Sequence, residues 1–172
     1  LTCPQMQANY AEHAERLAAA GLECDLPPVV QALSEAELLE IIDRYDGMVA
    51  GDDQLNAAVL EKGAASRLKV ISKWGVGVDG IDLVAAKRLG ITVTLSLPVA
   101  FGSTGARADM EAATNTDLYN AGVAIATRYA AAANIVWHVM IDDTGGTGST
   151  IGARIEAFYD GVNDTESPAR PV

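Results

Sequence analysis

The sequence predicts an α/β protein, with a parallel sheet that carries helices on both faces and a β-rich C-terminal segment. Strand and helix patterns alternate throughout residues 1–94, which is typical of parallel strands joined by helical crossovers. The most regular unit spans Leu68–Thr94, where strand, glycine loop, helix and strand follow in order. Lysine is absent after Thr94 and helical periodicity weakens there, so we place a boundary near residues 95–115.

Composition narrows the class of function. The chain has 172 residues, of which 49% are hydrophobic, so one domain with a substantial core is feasible. A net charge of −11 argues against a nucleic-acid partner, because the phosphates of nucleic acids are bound by clustered Lys and Arg. No apolar run approaches the roughly 20 residues of a membrane span, so no membrane partner is expected.

The first residues of the chain indicate whether it has been processed, and the cysteines indicate its cellular location. The opening stretch Leu1–Pro4 resembles the end of a strand, so we expect a few residues to have been lost before it. No signal or transit peptide is recognisable. Cys3 and Cys24 are expected to be free thiols of a cytoplasmic protein rather than a disulfide pair.

Hydrophobic periodicity and capping signals place the elements of residues 1–94. Ser34 and Glu37 fit a capping box, in which each side chain bonds the other residue's backbone N–H. Gly90 is expected to end the helix that precedes the last strand. The helices are expected at Gln5–Ala20, from Ser34 to about Arg44, at Gln54–Lys62 and at Ile81–Leu89. The strands are expected at Leu22–Leu26, Met48–Ala50, Lys69–Trp74 and Ile91–Thr94.

The second half is expected to contain more strand than helix. A short helix is predicted at Ala106–Ala113, and the tail after Asn163 is expected to be loose. Residues Ile151–Tyr159 alternate between apolar and polar side chains, as in a half-exposed strand, and would form a β-hairpin with the strand before them. The predicted strands are Val123–Tyr129, Asn134–Ile141 and Ile151–Tyr159, with a polar loop at Asp142–Thr150.

These patterns divide the chain into three parts. Residues 1–100 form the predicted α/β domain, and residues 101–122 form a linker or crossover. Residues 123–172 form the β-rich segment, and whether that segment is a separate module is left open.

A glycine-rich loop, Gly75–Gly80, separates the central strand from its helix. Its sequence matches G-x-G-x-x-G, the fingerprint of dinucleotide-binding loops. That fingerprint also requires an acidic residue at the end of the next strand, and Thr92–Ser96 contains none. Three interpretations therefore stay open: a nucleotide loop, a loop whose amides bind a small anion such as a carboxylate, and a tight turn that packs helix on strand.

The remaining motifs favour structural roles. The second glycine-rich stretch, Asp143–Gly152, suits a flexible hairpin loop better than a phosphate loop, because a strand is expected after it. His13 and His138 are interpreted as structural residues, and Trp74 and Trp137 as core or interface aromatics. No metal-ligand spacing of His, Cys or carboxylates is present in the sequence, so no metal site is expected.

Residues 46–94 carry the most specific motif in the chain. The segments Asp46–Asp52, Leu68–Leu83 and Ala85–Thr94 resemble the D-isomer-specific 2-hydroxyacid dehydrogenases, most closely their phosphoglycerate dehydrogenase branch. The resemblance covers about residues 1–94 and implies a flavodoxin-like substrate-binding domain. The remainder of the chain is not recognised.

The resemblance also implies a substrate site. In that family the loop that here contains Gly75, Val76 and Gly77 offers backbone amides to the substrate carboxylate. The loop at Gly51 and Asp52 lines the same cleft. The implied partner is a small 2-hydroxy or 2-keto acid, and the family's cofactor is NAD.

Departures from the family pattern imply limited activity. No nucleotide domain is recognisable, and the family's catalytic Arg, Glu and His are not found, which leaves NAD binding by this chain in doubt. Ala50 stands where the family usually has an Arg. The chain is therefore expected to be a truncated or chimeric dehydrogenase, inactive alone. The alternative is a non-enzymatic binding or assembly protein with a β-rich C-terminal module, and a homo-oligomer is left open in either case.

Overall fold

A computed structural model of the protein describes residues 1–74, 77–100, 106–141 and 150–166. The chain forms two compact units, Leu1–Leu95 and Ser96–Val172. The predicted boundaries at residues 100 and 122 stay predictions. Among the described residues, no helix is both long enough and apolar enough to cross a membrane.

The first unit alternates helices and strands, as expected. Its helices are α1 (Pro4–Ala19), α2 (Glu35–Ile41) with a following 3-10 turn (Ile42–Arg44), α3 (Ala57–Ser66) and α4 (Leu83–Arg88). Its strands are β1 (Gly47–Ala50), β2 (Val70–Lys73) and β3 (Thr92–Ala100), the last of which continues past the unit boundary. The predicted α/β class, a flavodoxin-like parallel sheet with helices, is thereby confirmed.

The strands β1, β2 and β3 pair in parallel. Met48 lies beside Ile71 and Ile71 beside Val93, and all three side chains are buried. The residues at the alternate positions are half-buried or, at Val70, exposed. At two of these positions the Thr94 hydroxyl donates to Ser72 Oγ over 2.9 Å. This period of two places one face of the sheet in the core of the unit.

Local signals explain where the helices of this unit begin and end. Ser34 and Glu37 form the predicted capping box at α2, and Asn56 caps α3 by accepting from Val59 N–H at 3.1 Å. Gly90 has a φ of +70°, the left-handed conformation that ends α4 as expected. The core between these elements contains the fully buried side chains of Leu38, Ile42, Leu55, Leu60, Ile71, Ile91 and Val93.

The second unit contains α5 (Ala106–Ala112), α6 (Asn115–Tyr129), β4 (Ile135–Ile141) and α7 (Thr150–Thr165). The strand order of the sheet is β1-β2-β3-β4. Two glycines allow α6 and α7 to cross with their backbones in contact. A Cβ atom added at Gly122 would lie 2.0 Å from the Phe158 carbonyl oxygen, and one added at Gly161 would lie 2.1 Å from that of Tyr119. Only glycine fits at these two positions.

Two predicted strands of the second half are helical, so the predicted β-hairpin is wrong, and so is the β-rich character of the segment for the described residues. Val123–Tyr129 belongs to α6, which begins at a capping box formed by Thr114 and Asp117. Ile151–Tyr159 belongs to α7. The buried residues of α7 recur at helical spacing, and they are Ile151, Ile155, Phe158, Tyr159 and Val162.

The predicted strand Leu22–Leu26 is also wrong. These residues form an irregular segment, and the two leucines are 56% and 38% exposed. Because no core covers these side chains, a strand here gains little from burial, and Pro27 and Pro28 remove the next two backbone donors. The predicted loop around Asp142 and the end of the tail fall in residues 142–149 and 167–172, outside the described residues.

Candidate functional site

The candidate site lies at the C-terminal ends of β1 and β2. Residues Gly51–Asp53 follow β1 directly, and residues 77–82 lead from β2 into α4. The Trp74 N–H donates to the Ala50 carbonyl over 2.8 Å, which continues the parallel ladder to the point where both loops begin. In open α/β sheets, ligands bind at this edge, where the loops after neighbouring strands meet.

Asp53 holds the first loop in shape. Its carboxylate is 2% exposed and accepts two backbone N–H groups, from Leu33 at 2.7 Å and from Gly51 at 2.8 Å. Two charge-assisted bonds of this kind satisfy a buried carboxylate. The Gly51 amide is therefore already occupied by Asp53, and the loop is tied to the segment that precedes α2.

Lys73, the last residue of β2, joins the ends of the two strands. Its side chain is 5% exposed, and its ammonium donates to the carbonyls of Gly51 at 2.7 Å and Trp74 at 3.1 Å. It also pairs with the Asp52 carboxylate at 3.4 Å, whose side chain is 76% exposed. A buried cation with three oxygen partners fixes the positions of the groups that it bonds.

Gly80 brings the second loop against the first. A Cβ atom added at Gly80 would lie 2.6 Å from the Asp53 carbonyl oxygen, so only glycine permits this approach. The Leu55 N–H donates to the Gly80 carbonyl over 2.8 Å, and the Asp82 N–H donates to the Leu55 carbonyl over 3.0 Å. Gly80 therefore allows the backbones of the two loops to lie in contact, and the three interpretations of the glycine-rich loop stay predictions.

The structure brings the described members of the predicted site to one edge of the sheet. Gly51 is buried, whereas Asp52 and Gly77 are exposed. A Cβ atom added at Gly77 would have open space around it. Gly75 and Val76, the other two predicted site residues, lie outside the described residues.

Sequence reasoning missed Asp53 and Lys73. A signal was available for Lys73, because a lysine at the end of a short apolar strand is unusual unless its charge has partners. Asp53 gave no comparable signal, since its partner Leu33 lies 20 residues away in the sequence. Its role follows from tertiary contact alone.

The described part of the edge lacks two features, the acidic residue of the dinucleotide fingerprint and a cluster of metal ligands. Gly80 packs against the Asp53 backbone, and Thr92–Leu95 of β3 offers no carboxylate for a ribose. Among the described residues, no group of three or more His, Cys, Asp or Glu side chains is placed to hold a metal. His13 lies on α1, and His138 lies in β4.

Comparison with known proteins identifies the family. Residues 6–135 match the model of the D-isomer specific 2-hydroxyacid dehydrogenase catalytic domain. The chain is 42% identical over 69 residues to a D-3-phosphoglycerate dehydrogenase from Synechocystis, which takes in 40% of this chain and 12% of that protein. It is 44% identical over 66 residues to one from Methanocaldococcus jannaschii, which takes in 38% and 12%. The matches thus span about an eighth of the length of these relatives.

Solved structures give weaker similarities. One is an NAD⁺-bound 3-phosphoglycerate dehydrogenase from Entamoeba histolytica, with a TM-score of 0.44, 24% identity and coverage of 50% of this chain and 27% of that one. Another is the TT0316 protein from Thermus thermophilus, with a TM-score of 0.47, 24% identity and coverage of 88% and 50%. The family-model match covers most of the chain and confirms the predicted resemblance: the chain belongs to the D-isomer specific 2-hydroxyacid dehydrogenase family.

Proposed function

We propose that the C-terminal edge of the sheet in the first unit binds the carboxylate of a small 2-hydroxy or 2-keto acid. The observation that carries the proposal is the way Lys73 and Gly80 hold two loops together at that edge. Successive backbone amides in loops of this kind bind carboxylates.

In this proposal each site residue has a distinct part. The amides of Val76 and Gly77 receive the carboxylate, and Gly75 allows the substrate to approach the backbone closely. Gly51 and Asp52 line the opposite side of the cleft. The Lys73 ammonium holds the two loops in register through the Gly51 and Trp74 carbonyls.

We propose further that this chain supplies substrate binding rather than a complete reaction. Hydride transfer in this family needs a bound nicotinamide, a cation that clamps the carboxylate and a general acid/base. Among the described residues of the site edge, the ionisable side chains are carboxylates and Lys73 alone. We therefore propose NAD as the cofactor of the family and do not assign its binding to this chain alone. A cytoplasmic location is proposed because Cys3 and Cys24 are both free thiols.

The alternative of an assembly protein was based in part on a β-rich C-terminal module. The described residues of that segment are mostly helical, in α6 and α7, and do not support such a module. Its broader form, a non-enzymatic binding or assembly role, stays a prediction. Size-exclusion chromatography with light scattering tests that form: a stable homo-oligomer that binds no small acid would favour it.

The binding proposal is tested by titrating the ¹⁵N-labelled chain with glycolate and following backbone amide shifts. We expect saturable shifts at Gly51, Asp52 and Gly77, and none with glycolamide, which lacks the charge. The matched variants are Gly77→Pro, which removes the N–H donor, and Gly77→Ala, which keeps it and fits the open space around Gly77. Gly77→Pro should weaken glycolate binding by at least about tenfold, the equivalent of one lost charge-assisted hydrogen bond. Equal affinity in both variants, or no saturation in the wild-type chain, would refute the proposal.

A further inference from the structure

We propose that this site selects a monocarboxylate with an uncharged substituent and discriminates against one that carries a phosphate group. The inference rests on the proposed carboxylate site and concerns the part of the substrate beyond the carboxylate. It is carried by the distribution of charge in the first unit.

Carboxylates dominate the edge where the loops meet. Asp52 and Asp79 are exposed, and Asp53 is buried at the turn of the first loop. Asp82 is half-buried and caps α4 by accepting from Ala85 N–H at 2.8 Å. Each of the two loops of the proposed site therefore carries one exposed carboxylate.

Lys73 is the one cation at this edge among the described residues, and its ammonium group already has oxygen partners. Its ammonium has three donors, and the structure gives each a partner: the Gly51 carbonyl, the Trp74 carbonyl and the Asp52 carboxylate. A phosphate would have to displace one of these partners to reach it.

Other cations of this unit lie at the opposite end of the strands. Arg44 and Arg67 border a groove of about 680 Å³ together with Gly47 and Val70, the first residues of β1 and β2. From Val70 to Lys73 the strand rises about 10 Å, which exceeds the screening length of about 8 Å at physiological salt. These cations therefore add little attraction at the site edge.

The helices reinforce this separation of charge. Arg16 lies in the last turn of α1, and Lys87 and Arg88 lie in the last turn of α4. The N-cap Asp82 belongs to the site edge, so the cationic end of α4 points away from it. Arg88 is also paired, with Glu61 at 2.5 Å.

A phosphate monoester carries a charge of about −1.5 to −2 at neutral pH and is usually held by several Arg or Lys side chains. At this edge it would meet Asp52 and Asp79 instead. A hydrogen or hydroxymethyl group meets no such repulsion. The geometry thus favours small unphosphorylated 2-hydroxy and 2-keto acids, although the two relatives described above are phosphoglycerate dehydrogenases.

The test compares D-glycerate with D-3-phosphoglycerate, which differ only in the phosphate, by titration calorimetry on the full chain at physiological ionic strength. We expect D-glycerate to bind at least about tenfold more tightly, a difference of about 1.4 kcal/mol. Asp52→Asn should raise the affinity for D-3-phosphoglycerate relative to that for D-glycerate at least about threefold, because it removes one of the two exposed carboxylates. The control Glu12→Gln removes the same charge from the exposed face of α1 and should leave the ratio unchanged.

The outcomes separate this inference from the proposal beneath it. If D-3-phosphoglycerate binds as tightly as D-glycerate or more tightly, the selectivity is refuted and the carboxylate site survives. If neither acid binds, the carboxylate site itself is refuted and the selectivity falls with it. An unchanged ratio in Asp52→Asn would refute the role given to Asp52.

Discussion

Lys73 donates to the carbonyls of the residues that directly follow β1 and β2, so we expect its side chain to contribute to both stability and binding. Lys73→Met keeps most of the side-chain volume and leaves the Gly51 and Trp74 carbonyls without their partner. Leaving buried acceptors unsatisfied costs about 2 kcal/mol of unfolding free energy, and we expect carboxylate binding to weaken as well.

Urea denaturation measures the stability. Lys69→Met is the matched control because Lys69 is exposed just before β2, and its cost should stay within about 0.5 kcal/mol. Equal costs for both variants would contradict the role of Lys73.

Glu37 gives a pH-dependent contribution at the start of α2. Hydrogen bonds from the Ser34 hydroxyl and backbone N–H lower the pKa of the Glu37 carboxyl below its ordinary value of 4.5. Because the folded pKa is the lower one, the stabilisation is fully present above pH 4.5 and is lost as the pH falls through the folded pKa.

The Glu37 prediction is checked with Glu37→Gln, which keeps the capping geometry without the charge. The difference in urea midpoint between wild type and variant should shrink steadily as the pH is lowered from about 6 to about 3. A difference that stays constant across this interval would show that the charge of Glu37 plays no part.

At the scale of elements, the crossing of α6 and α7 depends on two glycines. Gly161→Ala places a Cβ atom 2.1 Å from the Tyr119 carbonyl oxygen, so the helices must move apart, which we expect to cost about 3 kcal/mol. The control is Gly152→Ala in the same helix, where the added methyl group meets nothing within 4 Å. That change should stabilise the helix by up to about 1 kcal/mol. Thermal unfolding followed by circular dichroism distinguishes them, and a Gly161→Ala chain as stable as the wild type would contradict the close crossing.

The elements that sequence predicted correctly are those with local signals. The capping box at Ser34 and the stop at Gly90 are set by neighbouring residues, so they can be read without the tertiary structure. The failures arose where a pattern had two meanings. Residues 151–159 alternate in polarity over a short span, but extending the window to Val162 shows the helical spacing of the buried side chains. Leu22–Leu26 alternates apolar and acidic residues as a strand can, yet its two leucines are exposed and are not covered by a partner surface.

The candidate site was predictable only in part. The motif located Gly51, Asp52 and Gly77 at a common edge, which the parallel pairing of β1 and β2 produces. The bonds from Lys73 and Asp53 that hold the edge together join residues about 20 positions apart. Contacts of that kind depend on how the chain folds and carry no local pattern.

For the whole molecule, the proposed function predicts binding without turnover. Incubating the chain with NADH and hydroxypyruvate should give no oxidation of NADH above a protein-free blank, because the proposal assigns substrate binding to this chain and no complete hydride transfer. A full-length phosphoglycerate dehydrogenase in the same cuvette conditions is the positive control. Clear turnover by the chain alone would show that a cofactor site exists outside the described residues.

A crystal structure of the chain with D-glycerate tests the central claim most directly, because it locates the acid atom by atom. We predict that the ligand carboxylate lies within about 3 Å of the Gly77 amide nitrogen, at the edge that Lys73 and Gly80 hold together. Density for the acid at another part of the surface, or an adenine nucleotide whose phosphates occupy those amides, would contradict the account.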